Sequence, residues 1–494
     1  MKLNSFYPVL VFMLLSFQYA NAQFELEWED FGDEPEEQFG FSTSMSAFGN
    51  VAVGSPFAIK NGMKTGKVVI NDGSDNTSTR HEFFGNEDGD EFGFDIKFSG
   101  VEAPDFTGEF LIIGAPGANN NTGYVRVYEI EYFSGRLVQK GDDINGSFPG
   151  GRFGHSVTIN RSGNIIVIGS PLDGSSGNQA GKTSVFKWDG DNWNLLGDEI
   201  LGENSGDLSG FDVQIEDFYK LNVVIGEPSN GLNPDNKGGK VRVFKYDGNE
   251  FVQEGQTITG QNDGGRFGAA IGLDISGLKL VVGAPDAMGS RGEVQIFKFN
   301  TGNNIWNQIG NSIQGDSIGD KFGTAFDFNY DMQFIVVGAP QDSIRPGKAE
   351  LFFIPSNIPG WIKDATIFGE GVGDRFGTSI DMHGPGGFWI AGSPGNDKNG
   401  FNSGRVASYG GLLTRTSDVT QNNAIDLWPN PTAGKLFFNR EQPEKISIFD
   451  FNGKLVSDYP IKGNSIDVSE FQKGPYLIIM EEKGKKRYGK FIRQ

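Results

Sequence analysis

Short apolar stretches and polar turns follow one another along most of the chain in a fixed order. Val157 and Ile159 alternate with Ser156 and Thr158, the period of two expected of a strand with one buried face. Arg161-Ser162-Gly163-Asn164 supplies a tight turn. Ile165 to Ile168 is then a continuous apolar run, which suits a strand covered on both faces. Gly169 and Pro171 end it, because Gly weakens a strand interior and Pro cannot donate to the ladder. The polar loop Leu172 to Ala180 leads to a third strand over Lys182 to Trp188, and Asp189-Gly190-Asp191-Asn192 turns the chain into a fourth over Trp193 to Leu201. The same four-strand layout fits Arg266 to Gln314.

This unit recurs. Its first phrase is found at Phe39-Gly40, Phe92-Gly93, Phe153-Gly154, Phe267-Gly268, Phe322-Gly323 and Phe376-Gly377, with a degenerate Ser209-Gly210 in the gap. Its second phrase is Gly-x-Pro, beginning at Gly54, Gly114, Gly169, Gly226, Gly283, Gly338 and Gly392, with spacings of 60, 55, 57, 57, 55 and 54 residues. That period suits one four-stranded blade per repeat and predicts a seven-bladed β-propeller, an all-β fold that closes on itself. The paired phrases resemble the FG-GAP repeats of the integrin-alpha-type propeller over roughly residues 24 to 411.

The Phe of each phrase is expected to plug the seam between blades, with the following Gly allowing two backbones to approach. Trp193 and Trp306 occupy one repeat position, matched by Phe251, and read as packing residues of the outer strand. Phe24 to Trp28 aligns with a fourth strand, whereas the last repeat stops after its third, Gly404 to Tyr409. The two ends should therefore pair, since an open blade edge invites association.

Beyond Gly411 the repeat stops. Leu412 to Ala424, rich in Thr, Ser, Asp and Asn, reads as a linker, and residues 425–494 as a small β-sandwich (Ig-like) domain with an Asn452-Gly453 turn. The order Trp428-Pro429-Asn430-Pro431, Gly434-Lys435-Leu436, Gly453, Gly474-Pro475-Tyr476 and the basic ending closely resembles the type A sorting domain of the type IX secretion system of Bacteroidota. Trp428 stands where that domain usually has Tyr. At the other end, Met1-Lys2, the apolar run Tyr7 to Phe17 and Ala20-Asn21-Ala22 form a secretory signal, with cleavage between Ala22 and Gln23. The expected organisation is a signal at 1–22, the propeller at 23–411, the linker at 412–424 and the sorting domain at 425–494. No later stretch is apolar enough for a membrane helix, so no membrane insertion is expected after signal removal.

The net charge of −21 is uneven: residues 425–494 hold 12 Lys and Arg against 9 Asp and Glu, which leaves 30 against 54, or −24, on the rest. An acidic body argues against nucleic acid and anionic membranes as partners. There is no Cys, hence no disulfide framework. His81, His155 and His383 lie in different repeats without metal-ligand spacing. The family resemblance implies Asp-rich calcium loops between the two phrases. Those positions read Asn160-Arg161-Ser162-Gly163-Asn164, Asp274-Ile275-Ser276-Gly277-Leu278 and Asn329-Tyr330-Asp331-Met332-Gln333, too few carboxylates for the ion, so no cofactor is expected.

Two sets of residues are candidates for function. Asp95, Asp212, Asp327 and Asp381 on the first strands, with Lys97, Gln214 and His155, could gather at the axis and support hydrolysis of a carbohydrate or other substrate. Asp90, Asp207, Asp320 and Asp374, two residues before each Phe or its substitute, read instead as turn residues that accept local backbone N–H groups. The loops after Gly-x-Pro vary in length and chemistry and make the second set: Asn119, Asn120, Asp173, Asn230, Asp235, Asn396 and Asp397. No nucleophile elbow or phosphate loop occurs. The reading is an exported binding or adhesion scaffold for an extracellular glycan or protein, handled by the type IX machinery and released or held at the surface, with a hydrolytic or purely structural surface protein as alternatives.

Overall fold

The computed structural model describes residues 25–46, 49–71, 80–100, 109–130, 137–229, 231, 237–329, 332–341, 345–353, 360–382, 388–410, 427–428, 434–438, 445–450, 455–459, 465–482 and 485–493. Contacts divide the chain into two units, Met1–Gly411 and Leu412–Gln494. The signal, the cleavage pair Ala22 and Gln23, and the linker lie outside the described residues.

In the first unit, each repeat folds as one antiparallel meander, and the described residues form seven of them. The innermost strands are Ser42–Met45, Ile96–Phe98, Ser156–Ile159, Asp212–Glu216, Ala270–Leu273, Phe326–Phe328 and Ile380–Met382, which number blades 1 to 7. The continuous apolar runs become second strands, such as Ile165–Ser170, buried on both faces except at the first residue. Blade 7 is completed by the N-terminal strand Glu25–Phe31, which pairs antiparallel with Arg405–Gly410 in the register Leu26 to Tyr409 and Trp28 to Ser408. The ring is thus closed by its two ends. Outer strands depart from expectation in one respect. In blade 3, Trp193–Leu195 and Ile200–Leu201 pair separately with Lys182–Trp188, because Gly197 takes a left-handed φ of 70° and bulges the chain between them.

The seams use both repeat phrases. The six phrase Phe residues are buried. A Cβ on the first Gly of each Gly-x-Pro would overlap the carbonyl oxygen of the phrase Gly in the following blade, Gly54 with Gly93, Gly114 with Gly154, and so on to Gly392 with Gly40. Trp193 Nε1 donates to the Lys140 carbonyl (2.9 Å) and Trp306 Nε1 to that of Glu254 (3.1 Å), so each indole caps the outer-strand bulge of the preceding blade.

Buried charge completes the seams. The first residue of the third strand is Lys67, Tyr124, Lys182, Lys240, Glu293, Lys348 or Arg405, all buried. Lys240 Nζ lies 2.9 Å from Asp207 and 3.2 Å from Glu227, and Lys348 Nζ lies 3.1 Å from Asp320 and 2.7 Å from Glu350. The Tyr124 hydroxyl donates to Asp90 at 3.2 Å. The same Asp residues accept backbone N–H groups of their own loops: Asp90 from Asn86 (2.8 Å), Asp207 from Asn204 (3.0 Å), Asp320 from Ser317 (3.1 Å) and Asp374 from Gly371 (2.9 Å). The local turn role is as expected; the buried cations facing Asp207 and Asp320, and the buried hydroxyl facing Asp90, add a second role that the turn reading does not contain.

The second unit packs a three-stranded sheet, Leu427–Trp428, Lys435–Phe438 and Ser465–Asp467, with a four-stranded one, Leu455–Tyr459, Lys445–Asp450, Gly474–Glu482 and Lys485–Arg493. Leu436, Phe438, Ile446, Ile448, Ile466 and Ile478 are in its core, the alternation expected of a β-sandwich. Of the motif residues, Tyr476 is buried and its hydroxyl donates to the Gln472 carbonyl (2.8 Å), Gly434 accepts from Val468 N, and Gly474 opens the long strand. Pro429, Asn430, Pro431 and Gly453 lie outside the described residues.

Candidate functional site: the axial channel and its mouth

The seven inner strands line a channel of about 540 Å³. The axial carboxylates act there as inter-blade acceptors on two levels. On the first, Asp95 Oδ2 accepts from Val157 N (2.7 Å), Ser156 Oγ from Val213 N (3.1 Å) and Asp212 Oδ2 from Ile271 N (2.7 Å). Two residues further along the strand, Asp327 Oδ2 accepts from Met382 N (2.8 Å), Asp381 Oδ2 from Met45 N (2.7 Å) and Ser44 Oγ from Phe98 N (3.1 Å). Each group reaches the inner strand of the next blade. The remaining seam, between blades 5 and 6, has Ala270 and Gly272 at these positions, and the rings of Phe326 and Phe328 close against Gly272 instead.

The second oxygens are also engaged. Asp95 Oδ1 accepts from Ile96 N (3.0 Å), Asp212 Oδ1 from Ser156 Oγ (3.2 Å), Asp327 Oδ1 from Phe328 N (2.9 Å) and Asp381 Oδ1 from Lys97 Nζ (2.5 Å). Burial pushes Asp95 up to about 6 and Asp212 up to about 7, with their mutual repulsion adding to the Asp212 shift. Burial and the neighbouring Asp381 raise Asp327 as well. Burial opposes the Lys97 ammonium, but Asp381, Asp327 and Asp95 outweigh it and hold its pKa above the ordinary lysine value. Gln214 lines the channel.

At the start of the inner strands, where the blade-to-blade loops enter, four aromatic rings form an arc: Phe41 to Phe94 (5.0 Å between centroids), Phe94 to His155 (5.0 Å) and His155 to Phe211 (4.7 Å). His155 Nδ1 lies 3.1 Å from the Phe211 carbonyl oxygen; a carbonyl only accepts, so Nδ1 carries the proton and Nε2 keeps a lone pair. Burial, helped by Arg152 and Arg266, lowers His155 to about 3 and keeps it neutral. Blades 5 to 7 place Ala269, Thr324 and Thr378 at the same position and leave that side of the mouth without rings.

The residue before each phrase Phe, or before Ser209, adds a second ring of side chains. Gln38, Glu91, Arg152, Leu208, Arg266, Lys321 and Arg375 all have a left-handed backbone, with φ between 53° and 59°. Glycine is the residue that conformation favours, and none of the seven is glycine. The position is visible in a repeat alignment, whereas its conformation is not.

The loops after Gly-x-Pro lie against the blade-to-blade loops on this face: Gly117 N donates to Asp90 O, Leu172 N to Gly151 O and Gly395 N to Asp374 O. Asn119 and Asn120 are exposed and left-handed. Asp397 is exposed and holds Asn402 N (2.7 Å). Two candidates are corrected. Asp173 is buried, ion-paired to Lys182 (3.1 Å), and Asn396 is buried and donates to Asp374 (3.1 Å), so both serve the scaffold rather than the open face. Asn230 and Asp235 lie outside the described residues. The 395–403 loop, read as free to vary, locks the ring closure: Glu36 N donates to Phe401 O, Gln38 N to Asn402 O, and Asn399 Nδ2 to Gly32 O (2.8 Å).

In two of the three turns where the family resemblance implies calcium, the side-chain oxygen is taken up by backbone N–H groups. Asp274 Oδ1 accepts from Leu278 N (2.9 Å) and Lys279 N (2.8 Å), and Asn160 Oδ1 from Asn164 N (2.9 Å) and Ile165 N (2.8 Å). Among the described residues no group of three His, Cys, Asp or Glu side chains is arranged to hold a metal.

Residues 426–494 match the family described as the secretion system C-terminal sorting domain. The second unit is a secretion sorting domain. It marks the chain for export by the type IX route, to the medium or to attachment at the outer-membrane surface. No helix among the described residues is long and apolar enough to cross a membrane. No curated protein matches the chain. Among solved structures, the chain is similar to one from the mitotic checkpoint complex (13% identity, 83% of this chain and 96% of that one, TM-score 0.49). Raptor of Chaetomium thermophilum (12%, 80% and 29%, 0.49) and a protein of Lactobacillus plantarum (10%, 84% and 97%, 0.46) are further matches.

Proposed function

We propose that this chain is an FG-GAP-type propeller exported by a member of the Bacteroidota, and that it works as a binding scaffold outside the cell. The observation that carries the reading is the contrast between the axis and the mouth. Every oxygen of Asp95, Asp212, Asp327 and Asp381 already has a donor, and in each case one of the two donors holds a neighbouring blade in place. A general acid or base needs an oxygen that can reach substrate, and these are committed to the scaffold. The mouth instead carries exposed Asn119 and Asn120, an aromatic arc, and side chains kept at a backbone position that disfavours them. The mature propeller is taken to begin at Gln23, to end near Gly411 and to need no metal.

The test is a glycan and extracellular-protein array run with the purified full-length mature chain beside a panel of hydrolase substrates. Capture of a ligand without turnover, weakened by substitutions of mouth residues, is the expected result. Turnover of any substrate that is abolished by Asp212→Asn in a folded protein would overturn it. Delivery is tested separately. A chain lacking residues 425–494 should fold and stay in the periplasm, and its undiminished appearance outside would refute the role of the module.

A further inference from the structure

The left-handed ring of side chains is explained by local contacts on only part of its circumference. In blades 3 and 5, the cation stacks on the aromatic ring of the preceding blade: Arg152 Cζ lies 5.1 Å from the centre of Phe94, and Arg266 Cζ lies 4.8 Å from that of Phe211. Arg152 also pairs with Glu91 (2.5 Å), and Leu208 is buried. Lys321 and Arg375 have no such support. The preceding blades offer Ala269 and Thr324 where the rings would be, and the hydroxyls of Thr324 and Thr378 donate to the carbonyls of Lys321 and Arg375 themselves (2.7 Å each).

Their charges are also poorly answered. Asp286 is 3.9 Å from Arg266 and 4.0 Å from Lys321, so one carboxylate is shared at long range by two cations. At the next seam the residue equivalent to Asp286 is Gln341, whose amide donates to Asp320 (3.1 Å). Among the described residues Arg375 has no carboxylate partner, and burial without compensation lowers its pKa. A body of net charge −24 before residue 425 thus keeps three cations on consecutive blades, at a backbone position where glycine would be easier, beside an open mouth.

We propose that Arg266, Lys321 and Arg375 form an anion-binding arc for an acidic polysaccharide, a glycan carrying carboxylate or sulfate groups along its length. The inference rests on the binding reading above and gives that site its ligand class. Three cations on successive blades can each take an anionic group of one polymer. The facing arc supplies what a sugar ring uses beyond its charge: the half-buried ring of Phe41, over which no cation of the described residues lies, and the His155 Nε2 lone pair as acceptor for a hydroxyl. An acidic peptide would use the cations and leave that half idle.

The experiment measures binding of the full-length mature chain to polygalacturonate, dextran sulfate, neutral dextran and poly-glutamate by calorimetry, at salt from about 50 to about 300 mM. Binding to polygalacturonate, dextran sulfate or both is expected, weakening as salt rises, and the preferred polymer identifies the anion. Lys321→Gln with Arg375→Gln should lower affinity about tenfold or more, while Lys298→Gln, an exposed cation on the third strand of blade 5, should not change it. Lys321→Gly with Arg375→Gly guards against misfolding. Glycine relaxes the left-handed backbone, so that pair should hold or raise the melting temperature and still lose binding. Equal binding of poly-glutamate would replace the glycan by an acidic peptide, and polyanion binding indifferent to both double variants would place the site elsewhere. Capture of only neutral or protein ligands would overturn the arc and leave the scaffold reading standing. Failure of all ligands would overturn both.

Discussion

Gly392 in blade 7 faces the carbonyl oxygen of Gly40 in blade 1, so closely that a Cβ on Gly392 would overlap it. The first and last repeats therefore meet through the same glycine contact that joins every other pair of neighbours. Gly392→Ala should force this closing seam apart and destabilise the propeller by about 1–3 kcal/mol, the usual cost of overpacking. Gly434→Ala, where no atom of another described residue lies within 4 Å of the added methyl, should change stability by less than about 0.5 kcal/mol. Denaturant unfolding of both variants checks the difference.

Asp381 joins blade 7 to blade 1 by accepting Met45 N, and it also holds Lys97. Asp381→Ala leaves the half-buried Met45 without an acceptor for its N–H and is expected to cost about 1–3 kcal/mol. Asp381→Asn keeps an oxygen for Met45 N and gives up only the charge, so it should fall between alanine and the native protein. If alanine and asparagine are equally mild, the belt of inter-blade acceptors contributes little to stability.

The buried carboxylates set a pH dependence. Asp95, at about 6, and Asp212, at about 7, hold protons in the folded state over a range where the unfolded chain has lost them. Their contribution is fully present below the ordinary aspartate pKa and lost as pH rises through the folded values. Asp327 is shifted in the same direction. His155 opposes them: lowered to about 3, it favours the folded state above its ordinary pKa and loses that contribution as pH falls. Within the channel, three groups against one make the axial contribution to stability fall between about pH 4.5 and 7.5. Asp212→Asn should flatten the melting temperature against pH over that window, and a slope unchanged by the substitution would refute the assignment.

The N-terminal strand Glu25–Phe31 covers the edge of Arg405–Gly410, and Glu29 lies 2.9 Å from the buried Arg405 guanidinium. Deleting residues 25–31 from the mature chain uncovers both. The expected result is a lower melting temperature and concentration-dependent association, read by light scattering, because an unpaired strand edge is a template for another chain. A monomer with native stability would show that the end-to-end pairing is dispensable.

The sequence by itself determined the number of blades, the strand order within each, the end-to-end closure and the separate C-terminal module. All of these follow from local alternation and from the recurrence of two short phrases, as in the pairing of Glu25–Phe31 with the last repeat. Asp95, Asp212, Asp327 and Asp381 were legible as one set of inner-strand acids. Only the tertiary structure separated them into two levels and engaged all their oxygens, because each bond crosses to the next blade and its register depends on how two blades pack. The same reason hid the mouth. Arg266, Lys321 and Arg375 stand in plain view before their phrase residues, but their left-handed backbone, and which side chain of the preceding blade lies beneath each, appear only once neighbouring blades are packed together.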